Sequence, residues 1–325
     1  MGQLIDGVWH TDNQAATDGK GAFKRSNAGF RNWVSADGSA GPSGDGGFKA
    51  ESGRYHLYVA WACPWAHRTL IFRALKGLEE HISVSFVGPI MLDQGWEFAD
   101  REDCTPDHIL GKRYLHEVYT AADGAFTGRV TVPVLWDKAQ GTICSNESSE
   151  IIRMFNSAFN SVTGNEDDYY PQALRAEIDG INDRVYNTLN NGVYKSGFAR
   201  TQEAYNDAVV PLFDTLDWLE GILSEKRYLT GSQLTEADWR LWPTLLRFDP
   251  VYHGHFKCNI RCLREYPNLW GYTRELYQWP GIAETVHMAQ TKEHYYASHL
   301  NVNPTGIVPS GPDLDLSAPH GRDRL

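Results

Sequence analysis

Between residues 50 and 160 the spacing of apolar positions changes repeatedly. Short runs rich in β-branched and aromatic residues, such as YHLYVA at 55–60, predict strands. Other stretches carry apolar side chains every three or four positions, which predicts helices. The predicted elements are strands at 55–60, 82–87, 130–136 and 142–144 and helices at 64–78 and 145–159. The order strand, helix, strand, long insert, strand, strand, helix is typical of a thioredoxin-like α/β layer.

After about residue 170 the strand pattern ends and helical spacing continues. The predicted helices cover residues 171–189, 202–223, 235–248 and 268–287. One of them begins at Thr235-x-x-Asp238 ahead of an apolar run, a start that resembles a capping box and places a carboxylate beside helix amides. The second half of the chain is therefore predicted to be all-helical.

The first 49 residues differ from the rest, because the glycine-rich stretch 38–47 offers little to a core. They predict an extended arm, held by aromatic anchors such as Trp9, Phe30 and Trp33. The predicted parts are an arm at 1–49, a thioredoxin-like domain at 50–160 and an all-helical domain with an irregular tail at 165–325.

Composition narrows the class of protein. The 325 residues are enough for two domains, and 30 Lys and Arg against 41 Asp and Glu give a net charge of −11. That charge argues against a binder of nucleic acid or of an anionic membrane, and no window reaches the roughly 18 apolar residues of a membrane-spanning helix. No secretory signal is visible in residues 1–10, and five cysteines are a sparse, odd set. We therefore expect free thiols and a cytoplasmic location.

The motif Cys63-Pro64-Trp65-Ala66 lies where a predicted strand ends and a helix begins. The free amides and the positive dipole end of that helix favour a thiolate, and Pro64 suits the first helical turn. Because Ala66 stands where a second cysteine would resolve a mixed disulfide, a disulfide on Cys63 has to be attacked by an external thiol. The alternative is a buried structural cysteine followed by a helix-starting proline.

Two further motifs can bind a peptide. A cis proline at Val132-Pro133 would leave the backbone of Val132 open to an extended peptide, although an ordinary edge-strand proline is the alternative. At the next helix start, Ser148 and free amides can bind a carboxylate and Glu147 can pair with an ammonium, although a plain helix cap is the alternative. With the thiol, these motifs describe a site for a γ-glutamyl tripeptide.

Two histidines and two cysteines also lie close together in the sequence, at His253, His255, Cys258 and Cys262. The His-x-His and Cys-x3-Cys spacings are not those of the usual structural zinc sites. We therefore predict no metal site.

The combined motifs resemble those of a known family. They are Trp61 to Arg68 (WACPWAHR), Gly95 to Phe98 (GWEF), Arg129 to Asp137 (RVTVPVLWD), Ser145 to Ser148 (SNES), and His294-Tyr295-Tyr296 with Asn303-Pro304. With the all-helical second half, they look like the Xi class of glutathione transferases, the glutathionyl-hydroquinone reductases. The resemblance implies a thioredoxin-like N-terminal domain followed by an all-α glutathione-transferase-type domain.

Site residues carried over from this resemblance remain expectations. Cys63 is similar to the family's catalytic cysteine, whereas two other groups match its binding residues. Those that match its glutathione contacts are Trp96, Arg129, Val132, Glu147 and Ser148, and those that match its quinol-facing tyrosines are Tyr194, Tyr252 and Tyr295. Tyr296 is an alternative to Tyr295, because the two are neighbours.

The resemblance implies an enzyme that uses glutathione to reduce glutathionyl-hydroquinone to hydroquinone, with glutathione disulfide as the other product. It also implies a homodimer, whereas the negative net charge is the reason to expect no nucleic-acid or membrane partner. The alternatives are an omega-like thioltransferase or dehydroascorbate reductase, and a non-catalytic interaction module with the same fold. The intact Cys63 and the predicted carboxylate pocket argue against the last of these.

Overall fold

The computed structural model describes residues 2–11 and 17–325; Met1 and residues 12–16 of the predicted arm lie outside the described residues. The described chain forms two compact units. The first comprises residues 2–11, 26–167 and 287–294, and the second comprises residues 17–25, 168–286 and 295–325. The domain boundaries expected at residues 49, 160 and 165 stay predictions.

The regular elements follow in chain order. The strands are β1 (Gln3–Ile5), β2 (Val8–His10), β3 (Tyr55–Val59), β4 (Ser83–Phe86), β5 (Val134–Asp137) and β6 (Thr142–Ser145). The helices are α1 (Pro64–Leu75), α2 (Leu115–Ala122), α3 (Ser148–Ser157), α4 (Asn160–Thr163), α5 (Arg175–Val185), α6 (Gly192–Gly197), α7 (Gln202–Glu225), α8 (Glu236–Leu246), α9 (His253–His255), α10 (Pro267–Tyr277) and α11 (Met288–Ser298).

A four-stranded sheet forms the centre of the first unit, in the order β4-β3-β5-β6. Strand β3 runs parallel to β4 and antiparallel to β5, and β5 runs antiparallel to β6. Every residue of β3 and β5 is buried, as in central strands that are covered on both faces. The predicted thioredoxin-like order is confirmed.

Helix α1 begins at Pro64 and ends at Leu75, three residues earlier than predicted. The reason is Gly77, whose φ of 63° lies in the left-handed region that ends helices. The buried Lys76 follows the helix, and its Nζ donates to the carbonyls of Asn165 (2.9 Å) and Asp167 (2.6 Å). These bonds fix the end of α1 to the last residues of the unit.

The start of the chain is more regular than an extended arm. Strands β1 and β2 form a hairpin, and Leu4 of β1 is fully buried and exchanges backbone hydrogen bonds with Gly128. Trp9 stacks on His116 at 4.5 Å and Phe30 stacks on Phe126 at 5.1 Å, so two of the predicted anchors do pack. The hairpin has only three residues in each strand, too few to show a clear alternation.

The second unit contains long helices, as predicted, but the last of the predicted helices is divided into two. The prediction of a single helix at 268–287 is wrong, because α10 ends at Tyr277 and α11 begins at Met288. Pro280 accounts for the break, since it lacks an amide and disfavours helical geometry in the residue before it. No helix among residues 2–11 and 17–325 is long and apolar enough to span a membrane.

The start of α8 is the capping box that the sequence indicated. Asp238 is fully buried and accepts from the amide and hydroxyl of Thr235 (2.8 and 3.0 Å), the amide of Leu229 (2.9 Å) and the hydroxyl of Tyr272 (2.8 Å). One carboxylate therefore joins a helix start, the preceding loop and α10.

Candidate active site

Cys63 is the N-cap residue of α1, with φ −76° and ψ 118°. Its Sγ accepts a hydrogen bond from the amide of Ala66 at 3.5 Å, and the thiol donates to the carbonyl of Val132 at 3.4 Å. Sulfur at a helix N-terminus that receives an amide N–H is favoured as thiolate. The predicted strand-to-helix placement of the motif is therefore what the structure has.

The Val132–Pro133 peptide bond is cis, as the motif indicated. Val132 lies just before β5, and its carbonyl is the one that Cys63 contacts. Among the described residues its amide donates to no protein acceptor. An extended peptide beside Cys63 could therefore pair with this amide, as an added strand pairs with a sheet edge.

Glu147 is the N-cap residue of α3. The helix begins at Ser148, three residues later than the predicted start at 145, because Ser145 still belongs to β6. Its Oε1 accepts from the amide (3.0 Å) and hydroxyl (2.8 Å) of Ser149. Within the described part of the chain, Oε2 has no hydrogen-bond partner. The carboxylate thus caps the helix and keeps one oxygen for a ligand.

Ser148 occupies the first position of α3 and is buried to 3 % exposure. Its hydroxyl has no hydrogen-bond partner in residues 2–11 and 17–325. Because the amides of Ser149, Glu150 and Ile151 already donate to Glu147, the amide and hydroxyl of Ser148 are the groups that this helix start offers to a carboxylate.

Trp96 and Arg129 belong to the same unit as Cys63. The Trp96 ring is buried and stacks on the ring of His294 at 4.7 Å, a contact that the sequence did not predict. The His294 Nδ1 is within 2.8 Å of the Pro89 carbonyl, which fixes the ring that supports Trp96. Burial lowers the pKa of Arg129 from its usual value.

The other four cysteines are free thiols in surroundings that disfavour the thiolate. Burial raises the pKa of Cys104, Cys144 and Cys262 above the ordinary value, and raises that of Cys258 to about 12. A thiol held in its neutral form is a poor nucleophile. Because only Cys63 among these five cysteines lies at a helix start that favours the thiolate, we take it as the reactive cysteine.

The second unit brings the three predicted tyrosines together. The hydroxyl of Tyr295 lies 2.6 Å from that of Tyr194 and 3.1 Å from that of Tyr252. Tyr252 and Tyr295 are essentially fully buried, whereas Tyr194 retains 9 % exposure. Burial raises the pKa of both Tyr252 and Tyr295 well above 10, so these two remain phenols.

Tyr296 lies outside this cluster, because its hydroxyl donates to the carbonyl of Pro250 at 3.3 Å. The cluster depends on a local irregularity, since Tyr252 ends a π-helical segment at Phe248–Tyr252. A second π-helical segment, Tyr186–Asn190, comes shortly before Tyr194 on α6. Such widened turns are frequent at functional sites, and helical periodicity in the sequence does not reveal them.

Metal ligands are not grouped in the described part of the chain, where no three His, Cys, Asp or Glu side chains could hold one ion. The sequence cluster near residue 255 separates into pairs. His253 Nε2 lies 3.4 Å from Cys262 Sγ, and His255 Nε2 lies 3.2 Å from His299 Nδ1.

Two family models match the chain. "Glutathione S-transferase, N-terminal domain" matches residues 62–158, and "Glutathione S-transferase, C-terminal domain" matches residues 202–275. The first range contains the Cys63, cis-proline and Glu147-Ser148 motifs, and the second contains α7, α8 and most of α10.

Curated relatives are similar over nearly their whole length. The chain is 57 % identical over 324 residues to glutathionyl-hydroquinone reductase YqjG of Escherichia coli, covering 99 % of each protein. It is 55 % identical over 316 residues to glutathionyl-hydroquinone reductase PcpF of Sphingobium chlorophenolicum, covering 97 % of this chain and 98 % of the relative.

Solved structures agree with these relatives. The glutathione-bound structure of the E. coli YqjG has a TM-score of 0.93 at 56 % identity, with 100 % of both chains covered. A Xi class glutathione transferase from Natrialba magadii has a TM-score of 0.92 at 50 % identity, covering 100 % of this chain and 98 % of that chain. The expected fold, a thioredoxin-like region followed by an all-α region, is confirmed.

Proposed function

The chain belongs to the Xi class of glutathione transferases, and we propose that it reduces glutathionyl-hydroquinones to hydroquinones through a mixed disulfide on Cys63. The observation that carries this mechanism is the position of Cys63: its sulfur receives an amide hydrogen bond at the start of α1, and no second cysteine follows in the motif. It is an enzyme of the glutathionyl-hydroquinone reductase type.

In the first step the Cys63 thiolate attacks the glutathionyl sulfur of the aromatic thioether. An S–S bond forms and the S–C bond breaks; the electron pair of the S–C bond stays with the ring, which takes up one proton and leaves as hydroquinone. The glutathionyl sulfur is oxidised and the ring carbon is reduced. In the second step a glutathione thiolate attacks the mixed disulfide, releasing glutathione disulfide and regenerating the Cys63 thiolate.

We assign glutathione binding to the first unit. The unpaired amide of Val132 would pair with the peptide backbone, and the hydroxyl of Ser148 would bind the γ-glutamyl carboxylate. The Oε2 of Glu147, which accepts no hydrogen bond from the described residues, would bind the ammonium group. Trp96, supported by His294, and Arg129 complete the proposed glutathione contacts.

We assign the quinol ring to Tyr194, Tyr252 and Tyr295. Breaking the S–C bond places charge on the ring, and a quinol oxygen can carry part of it. Phenol hydroxyls that donate hydrogen bonds to this oxygen stabilise the charge as it develops. The hydroxyls of Tyr194 and Tyr252 lie 2.6 and 3.1 Å from that of Tyr295, and this clustering supports a joint role.

Partners and location are proposed on the same basis. We expect a homodimer that works in the cytoplasm with neither nucleic acid nor membrane as a partner, and with no metal. The five free cysteines suit a reducing compartment, and the net charge of −11 does not favour polyanions.

The mechanism is tested by comparing glutathionyl-hydroquinone with hydroxyethyl disulfide as substrates. Cys63→Ser should lose turnover of both, because a serine hydroxyl is too weakly acidic to attack sulfur at neutral pH. Cys104→Ser, a half-buried thiol in the same unit, is the matched control and should retain activity. Mass spectrometry of the wild type should find glutathione on Cys63 alone. An active Cys63→Ser enzyme would refute the mechanism.

The tyrosine assignment has its own test. Replacing Tyr194, Tyr252 or Tyr295 by Phe keeps the ring and removes the hydroxyl, which should slow reduction of the aromatic substrate by about 1–3 kcal/mol in activation free energy. Hydroxyethyl disulfide, which has no quinol oxygen, should be reduced at nearly the wild-type rate. Tyr296→Phe is the control. Equal losses on both substrates would mean that the tyrosines support the fold instead.

A further inference from the structure

A segment from the start of the chain, residues 17–25, belongs to the second unit and is fixed there by backbone contacts. The amide of Arg200 donates to the carbonyl of Gly21 at 3.0 Å. The hydroxyl of Thr201, the N-cap residue of α7, donates to the carbonyl of Lys20 at 3.1 Å. The end of this segment is therefore held in a defined place.

That end is Arg25, whose guanidinium lies over the ring of Tyr194 at 4.7 Å from the ring centre. Its Nε donates to Oδ1 of the buried Asn191 at 2.5 Å. Asn191 directly precedes α6, the helix that carries Tyr194. The same short stretch of chain thus positions both the cation and the tyrosine.

A cation over the face of an aromatic ring has a defined electrostatic effect. It stabilises negative charge on the ring and its oxygen, so the phenol becomes a stronger hydrogen-bond donor. A second cation, Arg247, is buried, donates to the carbonyl of Pro243 and acts on Tyr252 and Tyr295. Arg25 therefore acts on the tyrosine that retains the most exposure.

We propose that Arg25 is a positioning residue for the aromatic substrate, which acts through Tyr194 by strengthening its hydroxyl as a donor to the departing quinol oxygen. The inference rests on the proposed function of the tyrosine cluster. It predicts a role confined to substrates that carry a quinol ring, because the glutathione contacts belong to other residues.

The test measures kcat and KM of Arg25→Gln and Arg25→Lys on glutathionyl-hydroquinone and on hydroxyethyl disulfide. Gln can still donate to Asn191 but has no charge, so kcat for the quinol substrate should fall about two- to fivefold, the range of an exposed cation–π contact. Lys keeps the charge and should recover part of this loss. The disulfide substrate should be unaffected by either change.

Arg184→Gln is the matched control, since its guanidinium lies over the ring of Trp218 at 4.2 Å in the same unit, and Trp218 is not part of the tyrosine cluster. It should leave both activities unchanged. Arg25→Gln is also made in a Tyr194→Phe background, where the lost hydroxyl should abolish any further effect of the charge.

The outcomes separate this inference from the proposed function. A slow Tyr194→Phe enzyme together with an unchanged Arg25→Gln enzyme overturns the role of Arg25 and leaves the tyrosine assignment standing. So does an Arg25→Gln effect that is equal on both substrates or persists in the Tyr194→Phe background. An unchanged Tyr194→Phe enzyme overturns both. Loss on the quinol substrate alone, with partial rescue by Lys, supports the inference.

Discussion

Glu147 has two separable roles, and a single amide substitution can distinguish them. One carboxylate oxygen, Oε1, caps α3 through Ser149, and the other is proposed to bind the ammonium group of glutathione. Glu147→Gln keeps an oxygen acceptor of the same shape and removes the charge. Glu147→Ala removes both the cap and the charge.

The magnitudes follow from the contacts. A hydrogen bond to a charged group contributes about 1.5–3 kcal/mol and a neutral one about 0.5–1.5 kcal/mol, so loss of the charge should weaken ammonium binding by roughly 1–1.5 kcal/mol. This corresponds to an increase of about five- to thirteenfold in the KM for glutathione. Because the ammonium group is remote from the reacting sulfur, kcat should change little. Glu147→Ala should in addition lower the free energy of unfolding by about 1 kcal/mol.

The assay is steady-state kinetics with glutathione varied at a saturating concentration of glutathionyl-hydroquinone, alongside urea denaturation. The control is Glu150→Gln, because Glu150 lies in the same helical turn but pairs with Arg31. It should leave KM unchanged while removing the same charge from the helix start. A glutathione analogue without the α-ammonium group should bind Glu147→Gln and wild type equally well.

The reasoning would be refuted by a Glu147→Gln enzyme with wild-type KM and an intact fold, since Oε2 would then have no role in binding. An equal rise in KM for the analogue would refute it too. That result would mean that the substitution weakens binding by distorting the start of α3, since the analogue has no ammonium group to pair with Glu147.

Three other predictions concern separate features. Ala66→Cys places a second thiol one helical turn from Cys63, so oxidation should form an intramolecular disulfide and turnover should depend less on the second glutathione. If mass spectrometry finds no such disulfide, the geometry of the helix start is contradicted. Burial lowers the pKa of His56 from 6.5 to about 4. Between pH 6.5 and about 4 the unfolded chain therefore binds more protons than the folded protein. The free energy of unfolding should fall by up to about 3 kcal/mol as the pH drops through this range. His56→Gln should flatten this dependence in denaturation curves, and an unchanged curve would exclude His56 as its source. Asp238→Ala removes an acceptor of four hydrogen bonds and should cost about 2–4 kcal/mol in urea unfolding; a smaller loss than that of Glu147→Ala would contradict the capping role.

Local chemistry predicted the part of the site that depends on neighbours in sequence. The helix start at Cys63 and the caps at Glu147 and Asp238 are short-range features, and each has the residue types that helix termini prefer. The cis bond before Pro133 was expected from the place of Val132-Pro133 at the start of the third strand of a thioredoxin-like layer, and an X–Pro bond adopts that form more readily than other peptide bonds.

Other features were missed although the sequence carries a signal. Helix α2 lies within the predicted long insert, yet its buried residues Leu115, Val118 and Tyr119 have helical spacing. The break after α10 is marked by Pro280. The amphipathic pattern of α2 covers only eight residues, and the break after α10 is marked by a single proline. Both signals are weaker than the helical patterns of the longer neighbouring segments, which explains why α2 and the break were not predicted.

Contacts between distant positions could not be predicted from spacing at all. The stack of Trp96 on His294 and the hydroxyl cluster around Tyr295 join residues from different parts of the chain. They depend on how helices and loops pack, and packing is decided by shape and burial over the whole unit. The resemblance to a family supplied the tyrosines, but not their arrangement.

The division of α11 between the two units limits how this protein can exchange parts with its relatives. Residues up to His294 belong to the first unit and residues from Tyr295 to the second, although both lie on one helix near the end of the chain. A gene fusion that joins two homologues after Asp167 would pair one parent's Trp96 with the other parent's His294. Functional chimaeras therefore need further crossovers that return residues 287–294 to the parent of the sheet and take residues 17–25 from the parent of the second unit. Recombination at one point is expected to produce poorly packed hybrids.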